Sequence, residues 1–215
     1  MAWIEQLQAA GPGQVTACVV GAYVLGCFTT GYYLVRARTG RDIRGLESGN
    51  VGALNVGRLL GKSASLLTAL GDVGKGILAV GAVYYFTRNP VLEALALLAV
   101  TAGHIWPVQL RFRGGKGAAT SLGALLIYDP LLTAAYVLCF LAGFMVLRKF
   151  TLTGLLAFLA LPFCAWWLHR AGFNLTIITT LSVLVLFAHR QNILEEIFTF
   201  GARRHVSAKP QPPKP

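Results

Sequence analysis

The sequence predicts an all-α integral membrane protein with seven transmembrane helices. Hydrophobic residues make up 55% of its 215 residues and charged residues only 13%, whereas a soluble domain carries about 25% charged residues. Long uncharged segments recur along the chain, and most basic residues lie in alternate connections between them. This composition argues against a soluble enzyme. The scattered net charge of +11 also argues against a nucleic-acid partner, because it does not form one basic face.

Seven segments are predicted to cross the membrane. A helix needs roughly 20 apolar residues to cross about 30 Å of hydrocarbon. Five uncharged segments come close to this length, namely residues 15–35, 94–110, 130–147, 150–168 and 171–188. Two weaker segments are also included, namely residues 62–87, which contain Asp72 and Lys75, and the short segment 117–128. Omitting either one would place the basic connections around Lys116 and Lys149 on opposite sides of the membrane.

The connections between these segments are short, which predicts one seven-helix domain over residues 1–204. Residues 205–215 are poor in apolar side chains and are predicted to form a disordered tail. With seven crossings, 16 of the 19 Lys and Arg residues fall on one side. The positive-inside rule makes that side cytoplasmic, so the N-terminus is predicted outside and the C-terminus in the cytoplasm.

Polar, glycine-containing segments lie at the predicted cytoplasmic ends of the helices. The first follows the first span and offers backbone amides and side-chain donors that suit an anion. Its candidate residues are Ser48, Gly49, Asn50, Gly52, Asn55 and Arg58. A flexible linker with a basic end is the alternative.

The second polar segment contains Gly114, Gly115 and Lys116, directly before the fourth span. A helix N-terminus approached by glycines and an adjacent lysine is typical of a phosphate or carboxylate site. The segment lacks the Ser or Thr that follows the lysine of a Walker A loop, which argues against nucleotide hydrolysis. A basic membrane anchor would explain its charges but not its glycines.

The third polar segment contains His189 and Asn192 at the end of the seventh span. Their spacing of three places them on one face of a helix. A structural role for His189 as a helix C-cap is the alternative.

Charged residues also occur inside the predicted spans. Asp72 and Lys75 can neutralise each other at a spacing of three residues, and intramembrane charges usually mark function. A purely structural ion pair is an equal alternative, and His104 beside Pro107 fits a core histidine. These three residues are predicted to support the site, while Cys18, Cys27, Cys139 and Cys164 are predicted to be packing residues.

Together these segments predict a cationic site for a phosphate-bearing ligand at the inner membrane surface. The site contains few carboxylates, which Mg²⁺ sites require. No metal ion and no cofactor are therefore expected.

The polar segments resemble, in order and spacing, the motifs of the PlsY family, the bacterial acyl-phosphate:glycerol-3-phosphate acyltransferases. The matching stretches are SGNVGALNVGR (48–58), DVGKG (72–76), GHIWPVQLRFRGGKGAAT (103–120) and HRQNI (189–193). The resemblance implies a seven-helix enzyme of the bacterial inner membrane whose active site faces the cytoplasm. It implies transfer of a fatty acyl group from acyl phosphate to the 1-hydroxyl of glycerol 3-phosphate, which yields lysophosphatidic acid. It also suggests a soluble phosphate acyltransferase as the source of acyl phosphate.

By motif position, the resemblance implies that glycerol 3-phosphate is held by Ser48, Arg58, Lys116, His189 and Asn192. The backbone from Gly49 to Val56 would hold the acyl-phosphate headgroup, and a groove between helices would take the acyl chain. The sequence departs from the family pattern at Val51, where proline is usual, and at Leu54, where threonine is usual. Glu195 and Glu196 stand where a basic residue is usual.

Acyl phosphate is an activated mixed anhydride, so we expect direct attack without an acyl-enzyme. Orientation of two bound substrates and stabilisation of developing charge would supply most of the rate. Either His189 or a substrate phosphate oxygen is the candidate base. A small transporter of phosphorylated solutes, a phosphatidyltransferase and an inactive paralogue are the alternatives, although the sequence lacks internal repeats and clustered aspartates.

Overall fold

The computed structural model describes residues 2–170 and 172–194, which form helices and connections without a strand. The α-helices are α1 (Ala2–Ala9), α2 (Pro12–Cys27), α3 (Thr30–Thr39), α4 (Ala53–Leu60), α5 (Lys62–Thr87), α6 (Pro90–Ile105), α7 (Ala118–Tyr128), α8 (Pro130–Leu147), α9 (Phe150–Trp167) and α10 (Phe173–Ala188). The all-helical prediction is confirmed. The predicted tail and the residues Glu195 and Glu196 lie outside the described residues.

Five helical segments are long and apolar enough to cross a membrane. They are Pro12–Thr39, Lys62–Thr87, Pro90–Leu110, Pro130–Leu147 and Phe150–Trp167. The helices α7 and α10 are apolar but shorter, with 11 and 16 residues. Large apolar side chains such as Leu138, Met145 and Phe163 are exposed on α8 and α9, as expected where helices face lipid.

The span predicted over residues 15–35 lies within the apolar segment Pro12–Thr39, but it is two helices and not one. Helix α2 ends at Cys27 and α3 begins at Thr30, with Phe28 and Thr29 in extended conformations. Such a break frees backbone carbonyls that lipid cannot satisfy. The Lys75 Nζ atom satisfies two of them, because it donates to the carbonyl oxygens of Gly26 at 3.1 Å and Phe28 at 2.7 Å.

The third predicted span also differs from the structure at both ends. Helix α6 begins at Pro90, earlier than residue 94, because the Asn89 side chain caps it by accepting from the N–H groups of Val91 and Leu92. It ends at Ile105, directly before Trp106 and Pro107, and a one-turn 3-10 helix follows at Val108–Leu110. Proline disfavours helical backbone at the preceding residue, which explains this end.

Asp72, Lys75 and His104 form one buried cluster in the bundle. The Lys75 Nζ atom lies 3.2 Å from Asp72 Oδ1 and 2.7 Å from His104 Nδ1. The Thr30 hydroxyl donates to Asp72 Oδ1 at 3.2 Å. The cluster therefore joins α5 and α6 to both sides of the break in the first span.

Glycines allow the central helices to approach closely. A Cβ atom added at Gly26 of α2 would lie 2.2 Å from the carbonyl oxygen of Val100, and one at Gly103 would lie 2.2 Å from that of Tyr23. Helices α5 and α7 meet in the same way through Gly76 and Gly123. In lipid no hydrophobic effect drives helices together. Small residues at such crossings let the backbones approach closely, and the resulting van der Waals contacts stabilise the helix pairs.

Replacing Lys75 by methionine tests the importance of the buried cluster. Lys75→Met leaves the Asp72 carboxylate without its charge partner and two backbone carbonyls without a donor, so we expect the free energy of unfolding to fall by about 3–5 kcal/mol. The measurement is denaturant unfolding of the purified protein in detergent. Lys62→Met, at an exposed position on the same helix, is the matched control; equal losses in the two variants would contradict the assignment.

Candidate active site

A cavity of about 960 Å³ lies between α4, α5, α7, α8 and α9, and it has two chemically different ends. Arg58, Lys116 and His189 line one end, together with Asn50. Aromatic side chains of α8 and α9 line the other end. A ligand that fills this cavity would combine an anionic group with an apolar tail.

Asn55 organises the loop before α4 from inside. Its side chain is 1% exposed. Its Oδ1 atom accepts from the N–H of Ser48 at 3.3 Å, and its Nδ2 atom donates to the carbonyl oxygens of Leu46 at 3.2 Å and Asn50 at 2.8 Å. The amide predicted as a ligand donor is therefore engaged in shaping the loop.

Only part of the predicted loop reaches the cavity. Asn50 and Gly52 line it, whereas Ser48, which is exposed, and Val56, which is fully buried, do not. Gly49 has a φ of +68° and donates its N–H to the carbonyl oxygen of Leu46 at 2.9 Å, so it closes the turn. The structure thus separates residues that shape the loop from those that face the cavity.

The two departures from the family pattern occupy different environments. Val51 is fully buried, and its carbonyl oxygen would lie 2.1 Å from a Cβ atom at Gly31. Leu54 lines the cavity and is 55% exposed. A hydroxyl at position 54 would face the cavity, so this substitution changes the chemistry of the wall.

Gly114 and Gly115 pack against the end of α6 and do not line the cavity. Their N–H groups donate to the carbonyl oxygens of Ile105 at 3.1 Å and His104 at 3.0 Å. A Cβ atom at Gly115 would lie 2.1 Å from His104 Nε2. The absence of side chains is therefore required for packing, and the packing brings the next residue, Lys116, to the cavity wall.

Lys116 joins the second and third predicted segments. Its Nζ atom donates to Asn192 Oδ1, and it lies close enough to His189 to influence that ring electrostatically. Helix α7 begins two residues later, after Gly117, whose φ of +81° turns the chain into the helix. The structure brings these three predicted residues together.

Two helix N-termini open onto the cavity. Gly52 and Ala53 line it at the start of α4, and Gly117 and Ala118 line it at the start of α7. The unpaired N–H groups of a first helical turn carry partial positive charge and favour anions. The polar end therefore combines two helix termini with cationic side chains.

His189 is held in one orientation and one tautomer. Its Nδ1 atom lies 2.8 Å from the carbonyl oxygen of Val185, which can only accept, so Nδ1 carries the proton. In the neutral ring Nε2 then has a free lone pair. Burial lowers the pKa of His189 and the nearby Lys116 lowers it further, although the bond to Val185 acts in the opposite direction.

Arg44 supports the site from outside the polar segments that the sequence singles out. Its guanidinium binds Asp42 at 2.7 Å and donates to the carbonyl oxygen of Leu110 at 2.7 Å, which ties the first loop to the second polar segment. The hydrogen-bonded Arg44 guanidinium lowers the pKa of Asp42. The only sign of this role in the sequence is that Asp42 and Arg44, which carry opposite charges, are two residues apart.

The buried cluster forms part of the cavity wall. Asp72 and His104 both line the cavity, whereas Lys75 lies behind them. Because Lys75 donates to His104 Nδ1, the neutral ring carries its proton on Nε2. In the residues that the structure describes, no group of three His, Cys, Asp or Glu side chains is arranged to hold a metal ion.

Comparisons with known proteins agree on one family. A family model described as glycerol-3-phosphate acyltransferase matches residues 16–198. The glycerol-3-phosphate acyltransferase 1 of Desulfitobacterium hafniense is 42% identical, covering 86% of this chain and 92% of the relative. The glycerol-3-phosphate acyltransferase of Geotalea daltonii is 37% identical, covering 81% of this chain and 90% of the relative.

Solved structures show the same similarity. The crystal structure of PlsY, an integral membrane glycerol 3-phosphate acyltransferase, in its glycerol 3-phosphate form matches with a TM-score of 0.77 and 32% identity, covering 86% of this chain and 92% of that one. Its lysophosphatidic acid form matches with a TM-score of 0.74, 31% identity and the same coverage.

Two asparagines of one loop provide a matched test of how the site is built. Asn55→Ala removes three hydrogen bonds and leaves the Ser48 N–H and the Asn50 carbonyl without these partners, at up to about 1–3 kcal/mol for each unsatisfied group. Asn50→Ala removes a side chain that faces the cavity. We expect only Asn55→Ala to lower the melting temperature in detergent markedly; equal stability of both variants would contradict the structural role of Asn55.

Proposed function

The chain belongs to the glycerol-3-phosphate acyltransferase family, and we propose that it transfers a fatty acyl group from acyl phosphate to the 1-hydroxyl of glycerol 3-phosphate. The products are lysophosphatidic acid and inorganic phosphate. The observation that carries this proposal is the cavity itself, which joins a cationic end to an aromatic, apolar end. The two ends suit the phosphate groups and the acyl chain respectively.

The phosphate of glycerol 3-phosphate binds the cationic side chains at the polar end. Arg58 and Lys116 supply positive charge there. Ser48, His189 and Asn192 complete the glycerol 3-phosphate site by their motif positions, with Nε2 of His189 facing the 1-hydroxyl rather than the phosphate. The acyl-phosphate headgroup lies against the loop from Gly49 to Val56 and the N-terminus of α4. The contact between Lys116 and Asn192 supports this arrangement, because it links distant motifs at one point.

The reaction proceeds by direct attack. The 1-hydroxyl oxygen bonds to the acyl carbonyl carbon, the bond from that carbon to the phosphate oxygen breaks, and inorganic phosphate leaves. Lys116, Arg58 and the helix N-termini stabilise the negative charge that develops on the phosphate and carbonyl oxygens. The proton of the hydroxyl passes to His189 Nε2 and then to phosphate or water.

The chain crosses the inner membrane of a bacterium seven times, with α7 and α10 as its shorter spans. The N-terminus lies outside and the C-terminus in the cytoplasm. The basic residues at the polar end of the cavity support this orientation through the positive-inside rule. The site then faces the cytoplasm, where a soluble phosphate acyltransferase would supply acyl phosphate.

The decisive assay supplies the purified protein in detergent with palmitoyl phosphate and glycerol 3-phosphate, without metal or coenzyme A. We expect lysophosphatidic acid and an equal amount of phosphate. Failure to form the product would overturn the proposal, and a covalent acyl group trapped on Ser48 would overturn direct attack. Flux of glycerol 3-phosphate into sealed vesicles without acyl donor would favour a transporter.

Replacing Lys116 tests the polar end of the cavity. Lys116→Ala removes charge stabilisation from the reacting phosphates, so we expect kcat/KM to fall by about 10²-fold or more. Lys149→Ala, at an exposed position that does not line the cavity, is the matched control and should retain activity. Folding of both variants is checked by size-exclusion chromatography; full activity of Lys116→Ala would refute the assignment.

The pH dependence tests His189 as the base. Because burial lowers its pKa below the ordinary value of 6.5, the ring is neutral at pH 7, and kcat/KM should fall only at pH values below 6.5. The substrate phosphates also titrate near pH 6. If His189 is the base, His189→Gln lowers kcat by about 10²-fold or more and changes the fall of kcat/KM at acidic pH. High activity with an unchanged fall at acidic pH would assign the proton to a substrate phosphate.

A further inference from the structure

Two matching rows of residues line the apolar part of the cavity. On α8 the row contains Tyr136 and Phe140, and on α9 it contains Phe150, Gly154 and Phe158, all of which line the cavity. Within each helix these residues are spaced by four, so they share one face. The two antiparallel rows form one aromatic wall.

Gly154 is the one residue of the two rows without a side chain, and Tyr136 packs against it. The Tyr136 hydroxyl donates to the carbonyl oxygen of Gly154 at 3.3 Å. A Cβ atom at Gly154 would lie 3.3 Å from the same hydroxyl. The Tyr136 ring also packs on Phe158, with ring centroids 4.7 Å apart. The ring is thus fixed between α8 and α9 by one hydrogen bond and one aromatic contact.

Tyr136 and Phe158 lie at the deep end of the cavity. Along α9 the lining begins at Phe150, and Phe158 lies about 12 Å further along the helix axis at 1.5 Å per residue. Among the described residues of α8 and α9, none beyond these two lines the cavity. The next inward side chains, Leu132 and Leu161, are 1% and 0% exposed and belong to the closed core.

We infer that Tyr136, anchored on Gly154, forms the end wall of the acyl groove and limits the length of the acyl chain that the enzyme accepts. The inference rests on the proposed function and names a specificity-determining residue for it. A chain that enters with its phosphate at Lys116 extends along the aromatic wall and stops at the Tyr136 ring. Longer chains must displace the ring or leave the groove, which lowers their kcat/KM.

Two substitutions should shift chain-length preference in opposite directions. Tyr136→Leu removes the ring and opens space toward the core, so longer acyl phosphates should gain relative to shorter ones. Gly154→Ala adds a methyl group to the wall beside the Tyr136 hydroxyl, so shorter acyl phosphates should gain. Since one methylene in an apolar pocket can change kcat/KM by about 10-fold or more, we expect changes of at least that size in the ratio for octadecanoyl over dodecanoyl phosphate.

The measurement is kcat/KM for a series of saturated acyl phosphates from twelve to eighteen carbons. Tyr85→Leu and Gly81→Ala are matched controls on α5: Tyr85 is 68% exposed, and a Cβ atom at Gly81 meets no atom within 4 Å. Both should keep the wild-type profile. Tyr136→Phe keeps the ring and loses only the hydrogen bond to the Gly154 carbonyl. It tests the end wall if Tyr136→Leu fails to fold, and it should broaden the range of acyl-chain lengths that the enzyme uses.

The outcomes separate the two proposals. Opposite shifts in Tyr136→Leu and Gly154→Ala support the inference. Wild-type profiles in the folded Tyr136 and Gly154 variants, or shifts in the same direction, overturn it while the acyltransferase activity stands. Absence of product from the wild-type protein with every acyl phosphate overturns the proposed function itself.

Discussion

The ammonium group of Lys75 is the interaction on which the arrangement of the bundle depends. It donates to carbonyls on both sides of residue 27, where the first span breaks, and it contacts Asp72 and His104. A charge in the membrane is costly unless it is paired, and an unpaired carbonyl there is also costly. The two costs offset each other, because the carbonyls at the helix break accept hydrogen bonds from the Lys75 ammonium, and the ammonium in turn satisfies those carbonyls. Further contacts transmit this arrangement to the site, since the His104 carbonyl accepts the N–H of Gly115 and so fixes the approach to Lys116.

The cavity depends on a second constraint, the contrast between the ends of the helices and their middles. At the ends, α4 and α7 present N–H groups, and Arg58 and Lys116 add charge. Toward the middle, α8 presents Tyr136 and Phe140 and α9 presents Phe158. Charge interactions gain strength where water is excluded, so a phosphate bound beside this apolar wall feels the cations more strongly than in solution. One cavity can therefore hold an anionic group and an acyl chain without a change of fold.

Much of this organisation could be predicted from the sequence, and the failures have identifiable causes. Apolar length predicted the bounds of Lys62–Thr87 and Pro130–Leu147 correctly, and Asp129 and Pro130 at the start of the second helix are local signals that the sequence displays. The break at Phe28 escaped prediction, since the group that satisfies its free carbonyls, Lys75, is distant in sequence. Asn55 shows the same limit. The sequence does not distinguish an asparagine that binds a ligand from one that is buried and shapes a loop. Its three intramolecular hydrogen bonds show that Asn55 has the second role. The resemblance to a family predicted that Lys116 and Asn192 lie in one site, and the structure joins them; motif spacing alone does not encode this long-range packing.

Gly114 and Gly115 show how a correct pattern can have a different physical reason. Glycines before a helix N-terminus suggest a backbone that approaches an anion. Here their N–H groups bind the end of α6, and a methyl group at either position would collide with His104. Their contribution to an anion site is therefore indirect, because they place Lys116 and the start of α7 at the cavity. Among the charged and polar groups that line the cavity are the guanidinium of Arg58, the ammonium of Lys116 and the imidazole of His189, and the glycines help to place Lys116 among them.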